Sequence, residues 1–170
     1  MAEIKVRKVS WQEIDSFIDT LSRSIASSGY KPDALISLVR GGLIPAGLLS
    51  DKLDVKRVYA MQTEHYTGLG EASKEVIVIY DVSANLEGKK VLLIDDISDA
   101  GDTFILAKEH VSKHNMPQEI RTVALQVYEN SKFRPDYYAE EKPKDIWISY
   151  PWSREEDIKA LGKMKRNDDL

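Results

Sequence analysis

Apolar positions first recur at helical spacing. Trp11, Ile14, Phe17, Ile18, Leu21 and Ile25 lie three and four residues apart, which predicts a one-faced helix to about Ser28. Ser10 followed by Glu13 fits a capping box, in which the two residues satisfy each other's backbone N–H groups. Gly29 and Pro32 close the element. ALISLV, residues 34–39, then reads as a short buried strand running into Arg40-Gly41-Gly42. Leu43 to Leu53 predicts a second helix and residues 57–62 a strand. Residues 63–74, TEHYTGLGEASK, carry no apolar period and predict a long mobile loop, a feature that is often functional inside a compact domain. EVIVIY (75–80) and VLLID (91–95) predict strands, Gly101 to about His114 a helix, and Ile120 to Tyr128 another strand. A loop with Pro135 and Pro143 leads to the short strand DIWISY (145–150). Ser153 and Glu156 then offer a second capping box before a charged last helix.

Strands alternating with helices predict an α/β fold, a mainly parallel twisted sheet flanked by helices. In such sheets ligands bind beyond the carboxyl ends of the strands. Both Arg40-Gly41-Gly42 and the segment from Asp95 to Thr103 sit at such ends. Neither a repeat nor a linker interrupts the chain, so residues 1–170 read as a single domain, an ordinary size for one packed core.

Composition removes several classes of chemistry. With no cysteine, disulfides, thiolate catalysis and cysteine–zinc sites are excluded. His65, His110 and His114 lack metal-site company, and the last two read as a solvated helix face. The net charge of -4 gives no basic footprint, so no nucleic-acid partner is expected. No apolar run reaches the length of a membrane span and the N-terminus has no signal-peptide core, so a cytoplasmic protein without a membrane partner is expected.

The chemistry concentrates in VLLIDDISDAGDTF, residues 91–104. A helix opening at Gly101-Asp102-Thr103 presents free N–H groups and a partial positive charge, which suits a phosphate. Ala100 and Gly101 let the backbone approach closely, and the Thr103 hydroxyl adds a donor. Arg40, Gly41 and Gly42 form a second cradle, with the Arg40 guanidinium as a fork for phosphate oxygens. Between the cradles, Asp95 and Asp96 suit sugar hydroxyls and Mg2+. Either cradle alone reads as an ordinary turn. Together they fit a phosphorylated sugar carrying a magnesium-bound pyrophosphate.

VLLIDDISDAGDT resembles the phosphoribosyl pyrophosphate signature of type I phosphoribosyltransferases, and LVRGG stands where that family has its pyrophosphate loop. DIWISYPW is similar to the end of the purine enzymes related to xanthine-guanine phosphoribosyltransferase. The resemblance covers roughly residues 33–152. It implies the type I fold with a small hood of terminal segments: a core over about 33–130, a hood and base-binding segment over about 131–152, and a charged segment over 153–170. By the same resemblance, Arg40, Gly41 and Gly42 bind pyrophosphate. Asp95 and Asp96 hold the ribose hydroxyls and organise Mg2+, directly or through water. Asp99, Ala100, Gly101, Asp102 and Thr103 wrap the 5′-phosphate, with the Asp102 carboxylate itself turned outward or capping the helix. Asp99 also faces the purine and accepts its proton, so Asp95, Asp96 and Asp99 are the expected catalytic residues. Trp147 stacks on the base, the backbone of Ile148 reads its edge, and a flexible loop with His65 and Tyr66 closes over the centre. The implied reaction is displacement of pyrophosphate from the anomeric carbon by a purine nitrogen. The implied partners are phosphoribosyl pyrophosphate, a purine base and a second subunit, in a homodimer or higher homo-oligomer.

Two positions depart from the family pattern. Ala100 replaces the usual threonine. Tyr128 stands where the 6-oxopurine enzymes place a lysine that donates to the exocyclic oxygen, and the nearest lysine is Lys132. Adenine, with an amino group at that position, is therefore the favoured base. Hypoxanthine, guanine or xanthine is the alternative. Rival readings from other classes are a phosphoribosyl pyrophosphate-sensing regulator, and a magnesium-dependent receiver or phosphatase domain that gives no role to Arg40-Gly41-Gly42.

Overall fold

The computed structural model describes residues 5–67, 74–155 and 157–159; for residues 65–67, 74 and 75 it describes the backbone alone. Within these, β1 (Lys5–Lys8) leads to α1 (Trp11–Ser27), β2 (Ala34–Val39) and α2 (Leu43–Leu53). The hairpin β3 (Val58–Thr67) and β4 (Lys74–Tyr80) follows, then β5 (Lys90–Ser98), α3 (Asp102–Asn115), β6 (Glu119–Tyr128), β7 (Tyr137–Lys142) and β8 (Ile146–Ser149).

Six strands form one sheet in the order β4-β3-β2-β5-β6-β7. All neighbours are parallel except β3 and β4. The central strands are apolar on both faces because helices cover both. Leu35, Leu92, Ile94, Val123 and Leu125 pack towards α1 and α2. Ile36, Leu38, Val91, Leu93 and Ala124 meet Phe104, Ala107 and Val111 of α3 on the other side. Each such side chain is almost fully buried, and burial of one stabilises by roughly 1.5–3 kcal/mol.

The helix starts follow their sequence signals. Ser10 accepts from the Glu13 N–H while the Glu13 carboxylate accepts from the Ser10 N–H at 2.8 Å, and Ile14, Ile18, Leu21 and Ile25 form the buried stripe of α1. Gly29 takes a left-handed φ of 74° just past the cap, where a side chain would be strained.

Three features differ from the sequence expectation. Of the mobile loop expected over 63–74, residues 63–67 and 74 are strand: β3 continues to Thr67 and β4 begins at Lys74, with residues 68–73 outside the described residues. Antiparallel pairing at a sheet edge tolerates alternating polar residues such as Thr63 and Glu64, so periodicity alone hid the strand. β7 joins the main sheet inside the segment expected as hood. YYAEEK has little apolar signal, but buried Tyr137 anchors it, accepting from Arg121 at 2.6 Å. β1 was not anticipated; it pairs with β8 in parallel, Lys5 opposite Ile146 to Lys8 opposite Ser149, and these two strands form the hood. The second capping box falls on Glu156, outside the described residues; the Ser153 hydroxyl donates to Asp157 at 2.9 Å.

Candidate active site

β5 carries the central acids and is longer than expected. It runs to Ser98 rather than ending at Asp95, so Asp96 also lies within the strand, with Asp95 opposite Ala124 of β6. β2 pairs with β5 only as far as Ser37 and Ile94, and then turns away. That divergence opens the sheet at the two acids, where the carboxyl ends of β2 and β5 part.

The space is filled from the β2 side by Arg40-Gly41-Gly42. The Val39–Arg40 peptide bond is cis. A Cβ on Gly41 would lie 2.5 Å from the Asp96 Oδ1, so this glycine gives the carboxylate its room. A Cβ on Gly42 would lie 2.2 Å from the Ile94 carbonyl and 2.7 Å from that of Leu38, so the loop crosses the sheet end at backbone contact. Arg40 is exposed and lines a cavity of about 500 Å³ together with Gly41, Asp95, Asp96, Thr103 and Trp152.

A second cavity of about 440 Å³ is lined by residues 95–104 and shares the acids with the first. Gly101 caps α3 with φ 92°, and no side chain among the described residues caps the first turn, which leaves its N–H groups to an anion. A Cβ on Gly101 would strike Phe133 at 2.7 Å. Residues 131–133 buttress the turn: the Lys132 N–H donates to the Ala100 carbonyl at 3.1 Å, and the Ser98 hydroxyl donates to the Phe133 carbonyl at 2.8 Å. The Lys132 ammonium donates to the Asp102 carboxylate at 3.2 Å. Lys132 therefore stands at the turn before α3.

A third cavity of about 390 Å³ continues from Ile97 and Asp99 to Tyr128, Lys144, Trp147 and Ile148. The Trp147 indole donates to Asp157 at 3.1 Å, which fixes its ring beside the cavity. The Tyr128 hydroxyl donates to the Ile146 carbonyl at 2.7 Å and is engaged by the Ile148 backbone. Tyr128 thus ties β6 to β8 while it lines the third cavity. Ile148 is nearly buried, with its backbone in the β1–β8 ladder. Asp99 is exposed at the junction of the second and third cavities. The three cavities thus bring together the expected residues on β2, β5, α3, β6 and β8. His65 and Tyr66 belong to β3 by backbone, and their side chains lie outside the described residues.

Burial raises both central carboxyls. Burial pushes the Asp96 carboxyl up to about 6, opposed by the Trp152 N–H, and burial with the neighbouring Asp96 charge holds Asp95 well above the ordinary range. Sequence reasoning missed Trp152, Thr63, Lys144 and the 131–133 buttress. The Trp152 indole donates to the Asp96 Oδ2 at 2.9 Å, and nothing in its spacing announces this.

A model of the phosphoribosyl transferase domain matches residues 9–158. The chain belongs to that family. It is thereby an enzyme, a transferase, as LVRGG and VLLIDDISDAGDT imply. Among curated relatives, the xanthine-guanine phosphoribosyltransferase of Idiomarina loihiensis is 28% identical over 145 residues, covering 85% of this chain and 84% of that protein. The enzyme of the same name from Cereibacter sphaeroides is 28% identical over 151 residues, covering 85% and 84%. Among solved structures, a purine phosphoribosyltransferase from Pyrococcus horikoshii aligns with a TM-score of 0.77 at 29% identity, covering 87% of this chain and 93% of that one. The type I phosphoribosyltransferase fold is thus the fold of this chain.

Proposed function

We propose that this phosphoribosyltransferase joins a 6-oxopurine, namely hypoxanthine, guanine or xanthine, to phosphoribosyl pyrophosphate, releasing pyrophosphate. The kinship with xanthine-guanine enzymes supports this base over the adenine that Tyr128 suggested. Two contacts weaken the case for adenine from within the molecule. The Tyr128 hydroxyl is engaged by β8, so it does not select a base by itself. The third cavity also has a cation at its rim, Lys144, which can donate to an exocyclic oxygen.

The carrying observation is the continuous trough that joins Arg40, the two acids, the α3 turn and the Trp147 cavity. In this reading Arg40 with Gly41 and Gly42 binds pyrophosphate, and residues 99–103 hold the 5′-phosphate by backbone N–H groups. Asp95 and Asp96 accept from the ribose hydroxyls. Their negative field favours the positive charge that develops on the ribose as pyrophosphate leaves. Asp99, at the cavity junction, accepts the proton from the attacking purine nitrogen.

Mg2+ fits the donor set. The two carboxylates are hard oxygen ligands, and no cluster of three or more acidic, histidine or cysteine side chains exists among the described residues. One or two carboxylates completed by water and substrate phosphates is the usual arrangement for this ion. When bound, it neutralises charge on the departing pyrophosphate.

Val58, Ile77 and Ile79 remain exposed on the face of the β3–β4 edge opposite Tyr59, Met61 and Val78, and this uncovered patch supports a homodimer. Light scattering on the purified protein tests that point. Among the described residues no helix is long and apolar enough to cross a membrane. Purine salvage is a cytoplasmic task, and the reading sets the protein there.

The test is pyrophosphate release from phosphoribosyl pyrophosphate with adenine, hypoxanthine, guanine and xanthine in parallel. Turnover on a 6-oxopurine well above that on adenine is expected, and Lys144→Met should narrow the gap by about tenfold. Adenine turned over best would overturn the base assignment. Binding of phosphoribosyl pyrophosphate with no base-dependent release would favour a sensor instead.

A further inference from the structure

Trp152 lies beyond β8, outside the phosphoribosyl pyrophosphate signature, yet it reaches one of the two central acids. Its indole N–H donates to the Asp96 Oδ2 at 2.9 Å. The ring is held on both sides: it stacks on Tyr150 with centroids 4.9 Å apart and planes 2° from parallel, and it meets Trp11 at 5.9 Å. Tyr150 is in turn fixed, donating to Gln126 at 2.8 Å and lying 3.1 Å from the Asp96 carbonyl. The Asp96 N–H donates to the Asp95 Oδ1 at 2.9 Å. Gly41 leaves room for the other face of the same carboxylate.

The chemistry of the donor matters. An indole N–H donates only and carries no charge. It can therefore fix the direction of a carboxylate without cancelling the charge that a metal ion and a developing cation need. A lysine or arginine in its place would compete with both. We infer that Trp152 is a positioning residue for Asp96: it occupies one carboxylate oxygen so that the other faces the ribose side of the trough. This rests on the proposed reading of Asp96 as a ligand of the sugar donor. It also gives the turn after β8 a task in sugar-donor binding, separate from that of Trp147 at the base.

The experiment compares Trp152→Phe, which keeps the stack on Tyr150 and removes the donor, in wild-type and Asp96→Ala backgrounds. A second variant carries benzothienylalanine at 152, which fills the indole's volume with sulfur in place of N–H. Both variants should lower kcat/KM for phosphoribosyl pyrophosphate by about tenfold while the KM for the base moves by less than about twofold. In the Asp96→Ala background, which has no side-chain acceptor, the further loss should nearly vanish, since the two changes break one interaction. Titration with phosphoribosyl pyrophosphate and Mg2+, followed by tryptophan fluorescence, should show weaker binding in both variants without any base present. Wild-type values in the benzothienylalanine protein, or an equal loss in the Asp96→Ala background, would overturn the inference. Failure of the wild-type protein to turn over any purine would instead strike the proposed function.

Discussion

Adding one methyl group at each of two adjacent glycines should separate the site from the scaffold. In Gly41→Ala the new Cβ is built 2.5–2.7 Å from three atoms of the Asp96 carboxylate. That side chain must retreat by about 1 Å to reach ordinary contact distance. Retreat breaks the 2.9 Å bond from Trp152, a hydrogen bond to a charged group worth roughly 1.5–3 kcal/mol. The indole is half-buried, so the lower part of that range applies, which corresponds to roughly 10–30-fold in kcat/KM for phosphoribosyl pyrophosphate. The fold should survive, because the displaced atoms end a side chain at a cavity. In Gly42→Ala the new Cβ meets backbone instead, the Ile94 and Leu38 carbonyls of β5 and β2. Neither central strand can yield, so the cost reaches about 3 kcal/mol or more, a drop in Tm of roughly 6–12 °C for a chain of this size. Thermal melts and pyrophosphate-release kinetics on both variants check this. A fully active Gly41→Ala, or a Gly42→Ala that melts with the wild type, would refute the close approach of this loop to the sheet end.

Glu13 has its carboxyl held below its ordinary value of 4.5, first by the Ser10 N–H and then by the Ser10 hydroxyl, with burial opposing and Arg7 assisting. A lowered folded value means that its stabilisation is complete above the ordinary value and is lost as the pH falls through the folded one. Urea midpoints followed down through about pH 4 should therefore decline less steeply in Glu13→Gln, and parallel declines would contradict the assignment. Tyr128→Phe leaves the Ile146 carbonyl without its donor. It should lower Tm by roughly 3–6 °C, with the ratio of hypoxanthine to adenine turnover unchanged in base-competition assays. Asp157→Asn removes one of the two acceptors that serve Trp147 and Ser153. Its KM for the purine should rise by about fivefold while that for phosphoribosyl pyrophosphate stays put in steady-state kinetics.

The scaffold was legible wherever one local rule governed an element. Ser10 and Glu13 announced α1, and ALISLV announced β2 at its observed bounds, because capping and two-sided burial leave a direct imprint on residue type. β1 and β7 left none. Val6 and the Tyr137–Lys142 segment become strands through partners distant in sequence, and pairing energy is not written in either segment alone. The acids, Arg40 and the α3 turn were legible as a set, which the shared cavities bring together, because loops that approach a sheet end at backbone contact need glycine. Trp152 was not. Its role arises from a hydrogen bond across 56 positions, made possible only by the stack on Tyr150. Tyr128 was misleading for a related reason: its place at the strand end suggested contact with the base, whereas its hydroxyl turns to the hood.

The parallel pairing of β1 with β8 has a consequence for biosynthesis. Residues 5–8 leave the ribosome before their partners, residues 146–149, which follow about 140 residues later. At usual elongation rates that delay is roughly 7–28 seconds. β2 to β6 can assemble with their helices during the wait, so the cavity lined by residues 95–104 takes shape on the nascent chain. Trp147, Trp152 and the Asp157 acceptor follow later. A chain stalled before β8 would thus hold the central strands without the Trp147 wall of the third cavity, which is added only after they are in place.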